Sequence, residues 1–166
     1  MDDEGRIELR KLTGERSRRL WEIAKTGDLS TLSPEDKKLA EIMLEHKEYH
    51  NQFEIADLLS EHEYDPDKEV NPFLHVSMHG VAETQLENRD PIEVYQFYNA
   101  MRKQKASHHD AVHLILAILV PLIFEVLKEE KVFDLKEYRS RLKSHKYMKP
   151  EKIFSSLEKE EDITED

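Results

Sequence analysis

The sequence predicts an all-α, single-domain helical bundle of about five to six helices with a four-helix-bundle-like core. Three observations predict it. Only 4 Gly and 6 Pro occur in 166 residues, too few for a turn-rich β domain. Apolar residues recur at spacings of three and four. Ser, Asn or Asp stands directly before Pro at Ser33-Pro34, Asn71-Pro72 and Asp90-Pro91, a pattern that opens helices.

The elements follow in order. Residues 6–25 form a first helix with Leu9, Leu12, Leu20, Trp21 and Ile23 inward. Its Arg6, Arg10, Lys11, Arg16, Arg18 and Arg19 are read as a solvated face that pairs with acidic neighbours, the rival reading being a docking surface for an acidic partner. After a linker over 27–32, a second helix starts at Ser33-Pro34 and fades near Leu59. Leu39, Ile42, Met43, His46, His50 and Phe53 share one face of it. Tyr64-Asp65-Pro66-Asp67 is a turn. A third helix from Asn71-Pro72 aligns His75, Met78, His79, Ala82 and Leu86. A fourth, from Asp90-Pro91, carries Ile92, Val94, Tyr95, Phe97, Tyr98 and Met101. Ser107 and Asp110 form a capping box for a fifth, with His109, Val112, His113, Leu116 and Val120 on one face and Pro121 inside it. Asp134 and Glu137 cap a short sixth helix that ends near His145. The expected organisation is an N-terminal helix and linker (1–32), a His-rich core (33–146) and an acidic tail (147–166), disordered at its end.

Composition removes whole classes of function. With no Cys, disulfides, thiolate metal sites and thiol catalysis are excluded. A net charge of −11 does not attract a phosphate backbone, so no nucleic-acid partner is expected. The acidic start, Met1-Asp2-Asp3-Glu4, is not a secretory signal. The apolar run Leu114–Phe124 is short of the ~20 residues that span a bilayer, so no membrane partner and a cytoplasmic location are expected. No nucleophilic Ser/His/Asp set, Gly-rich phosphate loop or nucleotide fingerprint stands in the chain.

Nine His remain, and six of them form three His-x-x-x-His pairs: His46/His50, His75/His79 and His109/His113. At this His content about half a pair is expected by chance. Residues four apart share a helical face, where two imidazoles can chelate one ion. Each pair falls on the apolar face of its helix, so three helices are expected to aim six imidazoles inward. At 1.5 Å per residue, two pairs lie ~6–9 Å from one end of an up-and-down bundle and His46/His50 at ~16 Å. Glu54 and Glu83 stand four residues after His50 and His79 and extend those ladders. Asp110 and Glu125 are further candidates as ligands or supporting acids. Imidazole with carboxylate suits zinc, iron, manganese or nickel. The zincin His-Glu-x-x-His is absent, and only Asp110/His113 has the spacing of the di-iron Glu-x-x-His. Tyr49 is a candidate proton donor. His62, His108 and His145 lack partners at this spacing and are read as surface residues.

His46-Lys47-Glu48-Tyr49-His50, then Asn71-Pro72-Phe73-Leu74-His75 with His79 and Gln85, then His109 through His113, resemble a bacterial family catalogued as domain of unknown function 1841. The resemblance spans roughly residues 39 to 143. It implies a compact helical protein with His-rich motifs and no particular reaction. The family pattern places acids four, eight and twelve residues after the third His pair. Here those positions are Ala117, Pro121 and Glu125.

The leading reading is a protein that binds one or two transition-metal ions, with a metal-dependent hydrolase or oxidoreductase as its enzymatic form. The alternative is a metal-free helical adaptor with a buried His network and a protein partner or second copy. A third reading is a pH sensor that opens when six His become charged.

Overall fold

In the computed structural model the described backbone covers residues 3–65 and 68–164, with side chains described over 13–65 and 68–157. The inward Leu9 and Leu12, the basic Arg6, Arg10 and Lys11, the Pro66-Asp67 half of the expected turn, and the acidic run over 158–166 lie outside the described side chains. The described residues are all-α, with eight α-helices and no strand: α1 (Asp3–Thr26), α2 (Pro34–Glu45), α3 (His50–Glu54), α4 (Pro72–Asn88), α5 (Ile92–Lys103), α6 (His108–Glu129), α7 (Leu135–His145) and α8 (Pro150–Thr164). Single 3₁₀ turns occupy Lys47–Tyr49 and Leu58–Glu61. The chain divides into two compact units, Met1–Gly80 and Val81–Asp166.

The first unit is built on α1. Leu20, Trp21 and Ala24 bury against Ala40, Ile42 and Met43 of α2, Phe53 of α3 and Val76 in the opening turns of α4. Gly14 lets α1 come close to the segment after α3, because a Cβ there would stand 2.9 Å from the Ala56 carbonyl oxygen. The basic side of α1 pairs with acids of the same unit. Arg16 and Arg19 meet Asp36, while Arg18 and Lys25 meet Glu22 and Glu54. Among the described residues, then, the charge on α1 is a solvated, ion-paired face.

The expected second helix is two helices. Ser33 caps α2 as its spacing implies, with its Oγ accepting from the Asp36 N–H at 3.2 Å. The helix then stops at Glu45, although neither Gly nor Pro follows. Two side chains stop it. The His46 ring donates from Nδ1 to the Ile42 carbonyl at 2.8 Å. The His50 ring turns back to the Met43 and Leu44 carbonyls at 3.1 and 3.3 Å. These imidazoles serve acceptors that helix termini otherwise leave to solvent. His46 and His50 are therefore not one turn apart on a continuous helix, and their estimated depth of ~16 Å does not apply.

The second unit is built on α6. Eight of its residues, from Ala111 to Leu122, are buried, with Val94, Phe97 and Met101 of α5, Tyr138 and Leu142 of α7, and Ile153 and Leu157 of α8. By length and composition alone α6 could cross a membrane, though 44% of its most apolar 18-residue window is buried. The helix is longer than the apolar run because it starts at His108, where Ser107 Oγ accepts from the Asp110 N–H at 3.0 Å. Pro121 sits inside it and leaves the Ala117 carbonyl without an intrahelical donor. Asp134 Oδ1 accepts from the Glu137 N–H at 2.9 Å and caps α7. α5 begins one residue later than expected, with Pro91 as its N-cap and no side-chain cap bond. The segment expected to be a tail is helical from Pro150 to Thr164, because Ile153 and Leu157 give it an apolar edge against α6. His145, expected at the surface, is buried. Its Nδ1–H donates to the Arg141 carbonyl at 2.7 Å, which satisfies one ring nitrogen inside the fold.

Candidate metal centre

In the first unit the end of α2 and the first turns of α4 bring three imidazoles together. A carbonyl can only accept, so the bond to Ile42 places the hydrogen of His46 on Nδ1 and leaves the lone pair on Nε2. Nε2 of His75 lies 3.0 Å from that nitrogen and is the donor of the pair. His79, one turn further along α4, has its ring centroid 5.0 Å from that of His46 and 6.0 Å from that of His75. His46 and His79 are fully buried. Tyr49 stacks on His46 at a centroid distance of 6.1 Å and sits 5.6 Å from His75. Burial raises the pKa of its phenol, with Glu48 adding to the effect, so the ring keeps its proton beside the imidazoles.

In the second unit His109 and His113 keep the expected helical spacing. Their half-buried rings face each other with centroids 4.0 Å apart.

The other sequence candidates are placed elsewhere. His50 is turned to the α2 carbonyls and packs on Trp21, with centroids 4.5 Å apart. Glu54 accepts from the Trp21 indole at 2.9 Å, from Lys25 at 2.7 Å and from Arg18 at 3.2 Å. Glu83 is bonded to His108 at 2.7 Å. Asp110 and Glu125 are exposed. α1 supplies three donors that claim Glu54.

Those donors make Glu54 a pH probe. Lys25 first, then the Trp21 indole, then Arg18 hold its pKa near about 2, below its ordinary 4.5. A carboxylate with a lowered folded-state pKa stabilises the fold above its unfolded value and loses that contribution as pH falls toward 2. The expected result is a denaturation midpoint that falls less steeply from pH 4.5 to 2 in Glu54→Gln than in the wild type. Parallel profiles would show that Glu54 contributes nothing, as exposed pairs sometimes do.

One functional candidate was not visible in the spacing. His108 bridges Glu83 and Tyr98, the latter at 2.8 Å, and so joins α4, α5 and α6. A lone His at a helix start carries no such signal. The only hint was Glu83, for which a ladder position was already expected.

A family model described as a domain of unknown function, DUF1841, matches residues 15–144. The match begins inside α1, upstream of the His motifs. No curated protein and no solved structure matches the chain.

Proposed function

The chain belongs to the DUF1841 family, whose description names no reaction, and we propose that this member binds a transition-metal ion through His46, His75 and His79 of the first unit, with the His109/His113 pair of the second unit as a further candidate chelate. The observation that carries the reading is the grouping of three imidazoles in the first unit, with Nε2 of His46 and Nε2 of His75 3.0 Å apart and the His79 ring centroid 5.0 Å from that of His46. Tetrahedral coordination at ~2.0–2.1 Å per bond needs nitrogens roughly 3.3 Å apart. The His46–His75 separation is already close to that. His46 also has the support that metal-ligating imidazoles use, an Nδ1–H donated to a carbonyl, and a bound ion would take the place of the His75 proton at its Nε2.

Neutral imidazoles suit zinc, iron, manganese or nickel and leave the charge of the ion uncompensated. That charge favours ionisation of any bound water. Three protein ligands leave a position open for water, which would allow metal-dependent hydrolysis, or oxidation–reduction if the ion is iron. On this reading the chain is cytoplasmic, α6 is a core helix, and its net charge keeps it from nucleic acid.

Element analysis by mass spectrometry tests it, on untagged protein purified without chelator. About one equivalent of one metal is expected. Protein that stays empty after incubation with zinc, iron, manganese and nickel would overturn the reading. The hydrogen bonds from His75 to His46 and from His46 to Ile42 would then belong to a structural network in an adaptor.

A further inference from the structure

The second unit holds another set of chemically capable side chains. Tyr98 of α5, His108 of α6 and Glu83 of α4 form one hydrogen-bonded chain. An ionised carboxylate can only accept, so Glu83 holds the hydrogen of His108 on Nε2. In the neutral ring Nδ1 then carries the lone pair and accepts from the Tyr98 hydroxyl at 2.8 Å. A nucleophile bonded to a base, and that base oriented by a third group, is the geometric signature of covalent catalysis. Three helices have to fold to assemble it. Glu83 keeps 19% of its side-chain surface and His108 48%, so the carboxylate is sheltered while the base remains open to a substrate.

We propose that Tyr98 is a nucleophile toward activated acyl groups, with His108 as its general base and Glu83 as the positioning residue. The phenol oxygen bonds to the carbonyl carbon of an aryl ester, and its proton passes to His108 Nδ1. The bond from that carbon to the leaving aryloxide breaks, and the departing oxygen takes the proton. Tyr98 is left as an ester, which water cleaves to the carboxylic acid. Because phenol is itself a good leaving group, the substrate class is activated acyl donors rather than alkyl esters or amides. The proposal does not depend on the metal reading.

Tyr147 is an internal control. It is 83% exposed, against the half-buried Tyr98, so accessibility alone favours Tyr147. The probe is p-nitrophenyl acetate, applied to the whole chain after chelation so that no metal-bound hydroxide contributes. Acid-quenched time points are read by peptide mass mapping. Tyr98 is expected to be acetylated at least about tenfold faster than Tyr147, in line with general-base assistance. His108→Ala should bring Tyr98 down to the Tyr147 rate. Glu83→Gln, whose amide oxygen still accepts from Nε2, should retain more of the rate than Glu83→Ala. Wild-type Tyr98 modified no faster than Tyr147 would overturn the proposal, and this comparison needs no variant to fold. An unchanged Tyr98 rate in folded His108→Ala would also overturn it.

Discussion

Alanine at His79 is expected to weaken metal binding by more than about 100-fold, since changes merely to groups supporting a ligand already cost 10–100-fold. His79 is fully buried, and its ring lies beside those of His46 and His75. Its loss removes a ligand and leaves a pocket that no neighbouring carboxylate is placed to fill, since Glu83 is bonded to His108. The thermal readout follows from mass action. At a metal concentration 1,000 times Kd the wild type gains about 4 kcal/mol, or about 8–16 °C in Tm for a chain of this size. At the same concentration a 100-fold weaker variant gains only about 1.4 kcal/mol. His75→Gln, at a half-buried position, should behave like His79→Ala and guards against misfolding of the alanine variant. His50→Ala is the discriminating control. Its ring is bonded to the Met43 and Leu44 carbonyls, so the variant should lose stability without losing metal. Equal loss of metal in His50→Ala and His79→Ala would mean that the ring pairs act as read from spacing alone. The grouping of His46, His75 and His79 as ligands would then be wrong.

That contrast shows where spacing stops being informative. The starts of α2, α6 and α7 were legible because Ser33, Ser107 and Asp134 act within four residues of themselves. Ends were harder. Arg89, Lys105 and Glu130 take positive φ just after α4, α5 and α6, where Gly is the usual signal and this chain has only four. The break after Glu45 carries no local mark, because it depends on two imidazoles reaching back to carbonyls of the preceding helix. The site divides in the same way. His109 and His113 were legible as a pair because α6 is continuous through both. Choosing His46 over His50 needed the backbone after α2, and removing Glu54 from the ligand candidates needed α1. The helical tail was hidden because its acidic composition outweighs two apolar residues, Ile153 and Leu157, spaced four apart.

Those two residues lead to the second large effect, at α8. Ile153→Ala is expected to cost about 2–5 kcal/mol, because Ile153 is fully buried and truncation leaves a cavity beside α6. For a chain of this length that is a fall in Tm of roughly 4–20 °C. Phe154, the next residue, is larger, yet it is 49% exposed. Phe154→Ala should stay within about 0.5 kcal/mol of the wild type. Hydrophobicity alone predicts the opposite order, since Phe has more apolar surface to lose. Only a helix docked by one edge makes the smaller residue matter more. Urea denaturation of both variants decides between the two. If Ile153→Ala is neutral, α8 contributes nothing to the second unit, and the acidic composition was the better guide to this segment. If it destabilises while Phe154→Ala does not, the last helix is part of the core that holds α6, and therefore of the frame that carries His109 and His113.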